Sequence, residues 1–219
     1  MSEGKEPREL PLFPLNTVLF PGMILPLRVF EPRYRQMMDF CMERERTFGV
    51  VLIKSGAEVG EPAEPYAVGS VARIEQIEPQ PDGTLAVAVV GAQRFALLEV
   101  IQKRPFQIGL VEYLDDTAGP DPPAAVVSEA RDLAARCLQH VLALNSEWVR
   151  TVALPEDPAR LSYLVGARLP VDRLVKQRLL EASTAAARLE QELPLLRGEE
   201  HRLSQQLLER LWVTSAALN

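Results

Sequence analysis

The stretch Leu10–Gly22, LPLFPLNTVLFPG, constrains the fold more than any other part of the sequence. It places Pro11, Pro14 and Pro21 among leucines and phenylalanines. Proline breaks helices and removes a donor from a sheet, so the segment is expected to be neither a helix nor an ordinary central strand. Short extended runs that alternate with proline-fixed bends are typical of compact β structure. We therefore expect a first strand and a bent crossing into the second.

Composition indicates a globular protein with a sizeable core. The chain has 219 residues, of which 47% are hydrophobic, and this is enough for one large or two small domains. The N-terminal sequence MSEGKEPREL lacks a signal-peptide pattern, and no window approaches the roughly 18 apolar residues of a membrane span. A cytoplasmic protein without a membrane partner is expected. Cys41 and Cys137 lie in helix-like apolar contexts, which favours buried reduced thiols.

The charge balance counts against nucleic acid as the main partner. The formal net charge is −6, whereas binding along a phosphate backbone normally requires a basic excess. A local basic patch remains an alternative, and with it an RNA or small-ligand site. Its candidate residues are Arg28, Arg33, Arg35, Arg73 and Arg94.

The first half of the chain shows strand patterns around one helix. Apolar residues alternate through 23–30, which predicts a strand near an edge. Pro32 suits the first position of a helix that continues with apolar residues at three- and four-residue spacing and ends within 43–46. The apolar run 48–53 predicts a strand covered on both faces.

A β-hairpin follows around Pro81-Asp82-Gly83, a turn tripeptide between alternating runs at 70–77 and 84–90. Gly91 interrupts the second run as a bulge glycine would. A last run occupies 105–114. Six or so short strands and one helix predict a small curled sheet or pseudo-barrel over residues 8–116.

A composition shift at TAGPDPP, residues 117–123, marks a predicted domain boundary, with Asp121 as a helix cap. Helical patterns then cover 124–144, 157–167, 171–182 and a long stretch from 184. These segments predict a helical bundle over 121–219. Pro194 and Gly198 predict a kink or a split in its last helix.

A search for catalytic chemistry finds no supporting motif. GxxxxGK[ST], GxGxxG and GxSxG do not occur, and His140 and His201 lie on separate predicted helices. Lys54 and Ser55 are adjacent without further residues to specify a dyad. No catalytic, cofactor-binding or metal-binding residue is therefore assigned, no cofactor is expected, and an enzyme with an unrecognised site is kept as a lesser alternative.

Three segments, at 10–34, 68–97 and 155–196, resemble in order and spacing the N-terminal substrate-binding domain of Lon proteases. The resemblance covers about residues 8–205. It implies an α+β fold with an N-terminal PUA-like pseudo-β-barrel and a C-terminal helical bundle. Its most specific motifs are the proline-rich opening Pro14, Leu15, Phe20, Pro21, Gly22, Pro26 and Leu27, the turn and GxxRF residues Asp82, Gly83, Gly91, Arg94 and Phe95, and the KQxLLE and RLE residues Lys176, Gln177, Leu179, Leu180, Glu181, Arg188, Leu189 and Glu190.

The ATPase module and the Ser-Lys protease domain of a full Lon protease are not found in these 219 residues. The resemblance therefore implies a stand-alone, non-catalytic member of the family. It further implies a module that binds exposed or unfolded polypeptide segments, with a separate protease as a conceivable partner. The oligomeric state stays open, although Leu207–Val213, with Trp212, could form a helix–helix contact.

Candidate partner-binding residues lie near the opening. Aromatic and methionine side chains suit an adaptable apolar groove, although the same types are more often found in a core. For Arg94 the structural interpretation is a charge pair with Glu31. The candidates are Phe20, Met23, Phe30, Tyr34, Met38 and Arg94.

Overall fold

The computed structural model describes residues 6–115 and 119–216, with side chains described up to residue 212. Strands and helices follow in the order expected from the sequence, which confirms the α+β fold and the C-terminal helical part. The elements are β1 (Arg8–Leu15), β2 (Ile24–Val29), α1 (Pro32–Met42), β3 (Thr47–Ser55), β4 (Glu64–Pro79), β5 (Leu85–Gln102), β6 (Gln107–Tyr113), α2 (Ala124–Leu144), α3 (Pro158–Arg168), α4 (Arg173–Glu181) and α5 (Ala185–Ala216).

The six strands form one mixed sheet in the order β2-β5-β4-β3-β1-β6. β1 and β3 run parallel, and the other pairs are antiparallel. The first part of β5 pairs with β2 and its second part pairs with β6, so the sheet closes on itself. The predicted curled sheet is thus confirmed, but β4 and β5 have 16 and 18 residues and are not short strands.

β1 lies inside the sheet order, so the expectation that its prolines exclude a central strand is wrong. The offset of its two partners explains why. β6 pairs with residues 8–12, including Pro11, whereas β3 pairs with residues 12–15, including Pro14. Each proline therefore lies where the strand is paired on one side only, a position that a residue without an N–H can occupy.

The crossing between β1 and β2 is tied to β5 at Gly91. The Gly22 N–H donates to the Gly91 carbonyl at 2.8 Å, and the Gly91 N–H donates to the Met23 carbonyl at 2.9 Å. A Cβ on Gly91 would lie 2.1 Å from the Phe20 carbonyl oxygen. The β4–β5 register shifts between Ser70 and Ala72, which confirms the bulge predicted at this glycine. Glycine is required here because the crossing chain comes so close.

The main core lies between the sheet and α1. Tyr34, Met37, Met38 and Cys41 form the buried face of α1, as their spacing predicts. The Tyr34 ring stacks on Phe13 with centroids 4.0 Å apart. Each fully buried apolar side chain contributes about 1.5–3 kcal/mol through its removal from water, so this face holds α1 on the sheet.

The chain divides into two compact units. The first contains the described residues up to Asp115 together with Asp172–Glu181, and the second contains the described residues from 119 to 171 and from Ala182 onward. α4 therefore packs with the strands: Gln177 Nε2 donates to the Val68 carbonyl at 3.0 Å, and Arg94 Nη1 donates to the Leu180 carbonyl at 2.8 Å. The division into domains at residues 8–116 and 121–219 stays a prediction. It assigns α4 to the second domain, whereas α4 belongs to the first compact unit.

The second unit contains α2, α3 and α5, which pack as a helical group. α2 begins after Pro123 without a side-chain cap, so the predicted Asp121 cap is wrong. α5 runs for 32 residues through Pro194 and Gly198. The predicted split is therefore wrong, because packing against α2 and α3 offsets the roughly 3 kcal/mol that proline costs inside a helix.

Candidate functional site

Four of the six sequence-predicted partner-binding residues are buried. Phe20 and Met38 have no exposed surface, Arg94 is 1% exposed and Tyr34 is 5% exposed. Met23 is partly buried against the core, whereas Phe30 is 54% exposed. Only Met23 and Phe30 of this set can touch a partner without rearrangement, and their binding role stays a prediction.

Arg94 is part of the framework of the first unit. Its guanidinium donates to the Leu180 carbonyl at the end of α4, which joins the GxxRF and KQxLLE motifs. The sequence predicts a pair between Arg94 and Glu31, but the Glu31 carboxylate has other partners. That carboxylate lies 3.1 Å from the Arg33 guanidinium and accepts from the Gly60 N–H at 3.2 Å.

β2 offers an exposed face and an open edge beside Met23 and Phe30. It is the terminal strand in the sheet order. Leu25 and Leu27 face the core, as the period-two pattern predicts. The opposite face carries Ile24, which is 69% exposed. The prediction from sequence missed Ile24, although the same alternation places it on the outer face.

The backbone groups along this edge alternate in direction. The Met23 carbonyl accepts from Gly91 in β5, so the next residue directs its N–H and C=O away from β5. Ile24, Pro26 and Arg28 therefore line the outer edge, and Pro26 supplies an acceptor without a donor. The edge can accept a further extended segment, while Pro26 and the charge of Arg28 limit indiscriminate pairing.

The arginines proposed as a basic patch are largely neutralised. Arg28 pairs with Asp82 and Arg73 pairs with Glu75 at 2.7 Å, while Arg33 pairs with Glu31 as above. Arg94 is buried, and Arg35 is exposed. The acidic partners cancel most of the positive charge of this group, which counts against a nucleic-acid site there.

A cavity of about 300 Å³ opens between α1 and the start of β1. Burial raises the pKa of the Cys41 thiol to about 12, and burial followed by the Glu45 charge raises the pKa of Tyr113. Both groups stay protonated at neutral pH and supply neither a nucleophile nor a base. The lining includes Arg8, Leu10, Phe40, Cys41, Arg44 and Tyr113.

Both cysteines are free and buried, which confirms the prediction for Cys41 and Cys137. Among the residues that the structure describes, no group of three or more His, Cys, Asp or Glu side chains could hold a metal ion.

None of the helices in the described ranges combines the length and the apolar character needed to cross a bilayer.

A buried polar cluster in the second unit was not predicted from the sequence. Arg188 in α5 is fully buried and donates to Ser162 Oγ at 2.8 Å and to the Tyr163 hydroxyl at 3.3 Å. Glu192, one turn later, is also fully buried. Burial raises the pKa of Glu192 to about 9, against the lowering effects of Arg188 and the Gly166 amide. Glu192 is therefore a neutral acid at pH 7.

Comparison with protein families gives one match that spans most of the chain. Residues 9–198 match the model of the ATP-dependent protease La (LON) substrate-binding domain. Among curated relatives, Lon protease 1 of Herpetosiphon aurantiacus is 29% identical over 199 residues, which are 83% of this chain and 24% of that protein. Lon protease of Xanthomonas oryzae pv. oryzae is 31% identical over 197 residues, 87% of this chain and 23% of that protein. The chain thus spans about a quarter of the length of these relatives.

Solved structures show the same fold. The crystal structure of a Lon N-terminal domain protein from Xanthomonas campestris matches with a TM-score of 0.65 and 26% identity, over 85% of this chain and 98% of that one. The N-terminal domain of Mycobacterium avium complex Lon protease matches with a TM-score of 0.64 over 87% of this chain and 98% of that one. Its 16% identity makes it evidence for the fold alone.

Proposed function

The chain belongs to the family of ATP-dependent protease La (LON) substrate-binding domains, and from this we propose that it is a non-catalytic module that binds exposed or unfolded segments of other polypeptides. The family match over residues 9–198 carries the proposal. We assign recognition alone to these residues, in the cytoplasm, with a protease on another chain as the partner that would receive the bound polypeptide.

We further propose that the binding surface is the β2 edge with Met23, Ile24 and Phe30. An extended segment added to β2 would bond to the outward backbone groups of Ile24 and Arg28, and such bonds are independent of sequence. Ile24 and Phe30, 69% and 54% exposed, would contact apolar side chains of the bound segment. This arrangement favours unfolded chains because they present extended backbone and apolar residues together.

Ile24→Glu is expected to weaken the binding of a permanently unfolded polypeptide by about tenfold or more, because it places a charge on the apolar contact. Isothermal titration calorimetry with a reduced, alkylated protein as the ligand measures the affinity. Leu98→Glu is the matched control, since Leu98 is 52% exposed on β5 and lies outside the part of β5 that pairs with β2. Its affinity should equal that of the wild type.

Two results of this titration would contradict the proposals separately. If the wild type binds no unfolded polypeptide, the proposed function is wrong. If Ile24→Glu binds as tightly as the wild type, the proposed function stands but the binding surface is not the β2 edge. Salt-dependent binding of RNA in a parallel titration, without polypeptide binding, would instead support the nucleic-acid alternative.

A further inference from the structure

The cavity between α1 and the start of β1 lies entirely within the first compact unit, and we call it the α1 cavity. Its lining includes three side chains that belong to the interior of the protein, Leu10, Cys41 and Ile108. Leu10 packs in one core cluster with Phe95, whereas Cys41 and Ile108 pack in the cluster beneath α1. The α1 cavity therefore opens where two core clusters meet, and its base is apolar.

The rim of the α1 cavity carries four charged side chains of both signs. Arg8 and Glu9 lie at the start of β1, and Arg44 and Glu45 follow the end of α1. None of the four forms an ion pair with the side chains that the structure describes. Their charges cancel, so the rim offers both signs without a net charge.

Both arginines of the rim are held against aromatic rings. Arg44 Cζ lies 3.6 Å from the centroid of the Phe40 ring, and Arg44 Nη1 donates to the Phe40 carbonyl at 3.2 Å. Arg8 Cζ lies 5.8 Å from the centroid of the Tyr113 ring. Stacking restricts a guanidinium while most of its N–H groups still point outward, and the planar guanidinium matches the geometry of a carboxylate.

The acidic side of the rim suits a cation. The charge of Glu45 acts inside the α1 cavity, because after burial it is the next cause of the raised pKa of Tyr113, another lining residue. The last turn of α1 lines the cavity as well, and the C-terminal end of a helix favours positive charge. The α1 cavity thus offers groups for an ammonium and for a carboxylate above one apolar base.

The size of the α1 cavity limits the ligand. Its volume of about 300 Å³ is at the lower end of the about 300–1,000 Å³ found for small-molecule sites. At roughly 30 Å³ for each water-sized group, it holds a ligand of about ten non-hydrogen atoms. An aliphatic amino acid such as leucine has this size, and it carries an ammonium, a carboxylate and an apolar side chain on the same carbon.

We propose that the α1 cavity binds a free aliphatic amino acid in its zwitterionic form. Arg8 and Arg44 hold the carboxylate, Glu45 holds the ammonium group, and the apolar side chain lies on the base of the cavity. None of these residues belongs to the β2 edge, the surface proposed above for unfolded polypeptides. Amino acid binding is therefore additional to the proposed function and is tested separately from it.

A ¹H–¹⁵N NMR titration of the full chain with leucine tests the site. The amide signals of residues 40–47, which contribute much of the lining, should shift. The dissociation constant should be about 1 mM or tighter, as expected for a ligand of about ten non-hydrogen atoms. Two analogues are the matched ligands: isocaproate lacks the amino group of leucine, and isoamylamine lacks its carboxylate. Each should bind about tenfold more weakly, since one charged hydrogen-bonded contact is lost.

Substitutions at the rim should separate the two contacts. Arg44→Gln should weaken the binding of leucine about tenfold. Glu45→Gln should also weaken leucine binding but should not weaken the binding of isocaproate, which has no ammonium group. Arg35→Gln and Glu43→Gln are the matched controls, because both side chains are exposed on or next to α1 and lie outside the lining. Arg44 and Glu45 are exposed too, so the fold should survive, and unchanged amide signals away from the cavity verify this.

Three results would overturn the proposal. The first is the absence of amide shifts around the α1 cavity at about 10 mM leucine. The second is equal affinity for leucine and isocaproate, and the third is a leucine affinity that Arg44→Gln does not change. A chain that binds unfolded polypeptides but not leucine would overturn this site and leave the proposed function intact.

Discussion

Replacing Gly91 by alanine is expected to lower the free energy of unfolding by about 3 kcal/mol or more. The new Cβ would lie 2.1 Å from the Phe20 carbonyl oxygen and 2.9 Å from the Phe20 carbonyl carbon. These are backbone atoms, and the two hydrogen bonds between Gly91 and residues 22 and 23 hold them in place. Relief of the clash therefore requires the crossing between β1 and β2 to leave the sheet. Urea denaturation measures the loss.

Gly198→Ala is the matched control for this substitution. Gly198 lies inside α5, and an added Cβ would meet no heavy atom within 4 Å. Alanine is favoured over glycine in a helix interior by about 0.5–1 kcal/mol, so this variant should be slightly more stable than the wild type. Equal stabilities for Gly91→Ala and Gly198→Ala would show that the crossing does not approach β5 as described.

Replacing Glu192 by glutamine is expected to stabilise the protein at alkaline pH by about 2 kcal/mol or more. Burial raises the pKa of Glu192 from an ordinary value of 4.5 to about 9 in the folded protein. The folded chain therefore keeps a proton that the unfolded chain releases between these values. The stability associated with this proton is fully present below about pH 4.5 and is lost as the pH rises through about 9. Glutamine is similar in shape and carries no charge at any of these pH values.

The measurement is urea denaturation of both proteins at about pH 5 and about pH 8. The stabilities should nearly coincide at the lower pH and diverge at the higher one. Glu190→Gln, an exposed acid on the same helix, should change little at either pH. The groups that face Glu192 are Arg188 on α5 and the Gly166 amide on α3. If Glu192→Gln instead destabilises the protein at neutral pH, Glu192 is ionised and stabilised by Arg188.

Local patterns predicted the elements well because they depend on near neighbours along the chain. The spacing of Tyr34, Met37, Met38 and Cys41 identified the buried face of α1. The Pro81-Asp82-Gly83 turn was predicted from residue types, and Gly83 has the positive φ of +79° that favours glycine. These predictions needed no information about distant residues.

Two of the wrong predictions share one cause, which is tertiary packing that outweighs a local preference. The prolines of β1 were expected to exclude a central strand, but the staggered pairing with β3 and β6 accommodates both. Pro194 was expected to kink or split α5, but the neighbouring helices keep the helix unbroken. In both cases the deciding contacts come from segments far away in the sequence.

The candidate site was only partly predictable because the same residue types serve cores and interfaces. Phe20, Tyr34 and Met38 were chosen as adaptable apolar side chains, and each is part of the interior. Ile24 was overlooked, although the alternation through β2 already placed it opposite Leu25 and Leu27. Residue type alone does not state which face of a strand is covered, whereas the pairing of β2 with β5 does.

By itself the sequence determined the order and type of the elements, the hairpin, the bulge at Gly91 and the resemblance to the Lon substrate-binding domain. Each of these follows from propensity and periodicity over a few residues, or from motifs kept in order. Only the tertiary structure decided that Arg94 bonds to Leu180, 86 residues away, and that Arg188 and Glu192 lie in an interior. Those outcomes depend on which surfaces are removed from water when distant segments meet, and burial of this kind is a property of the packed chain.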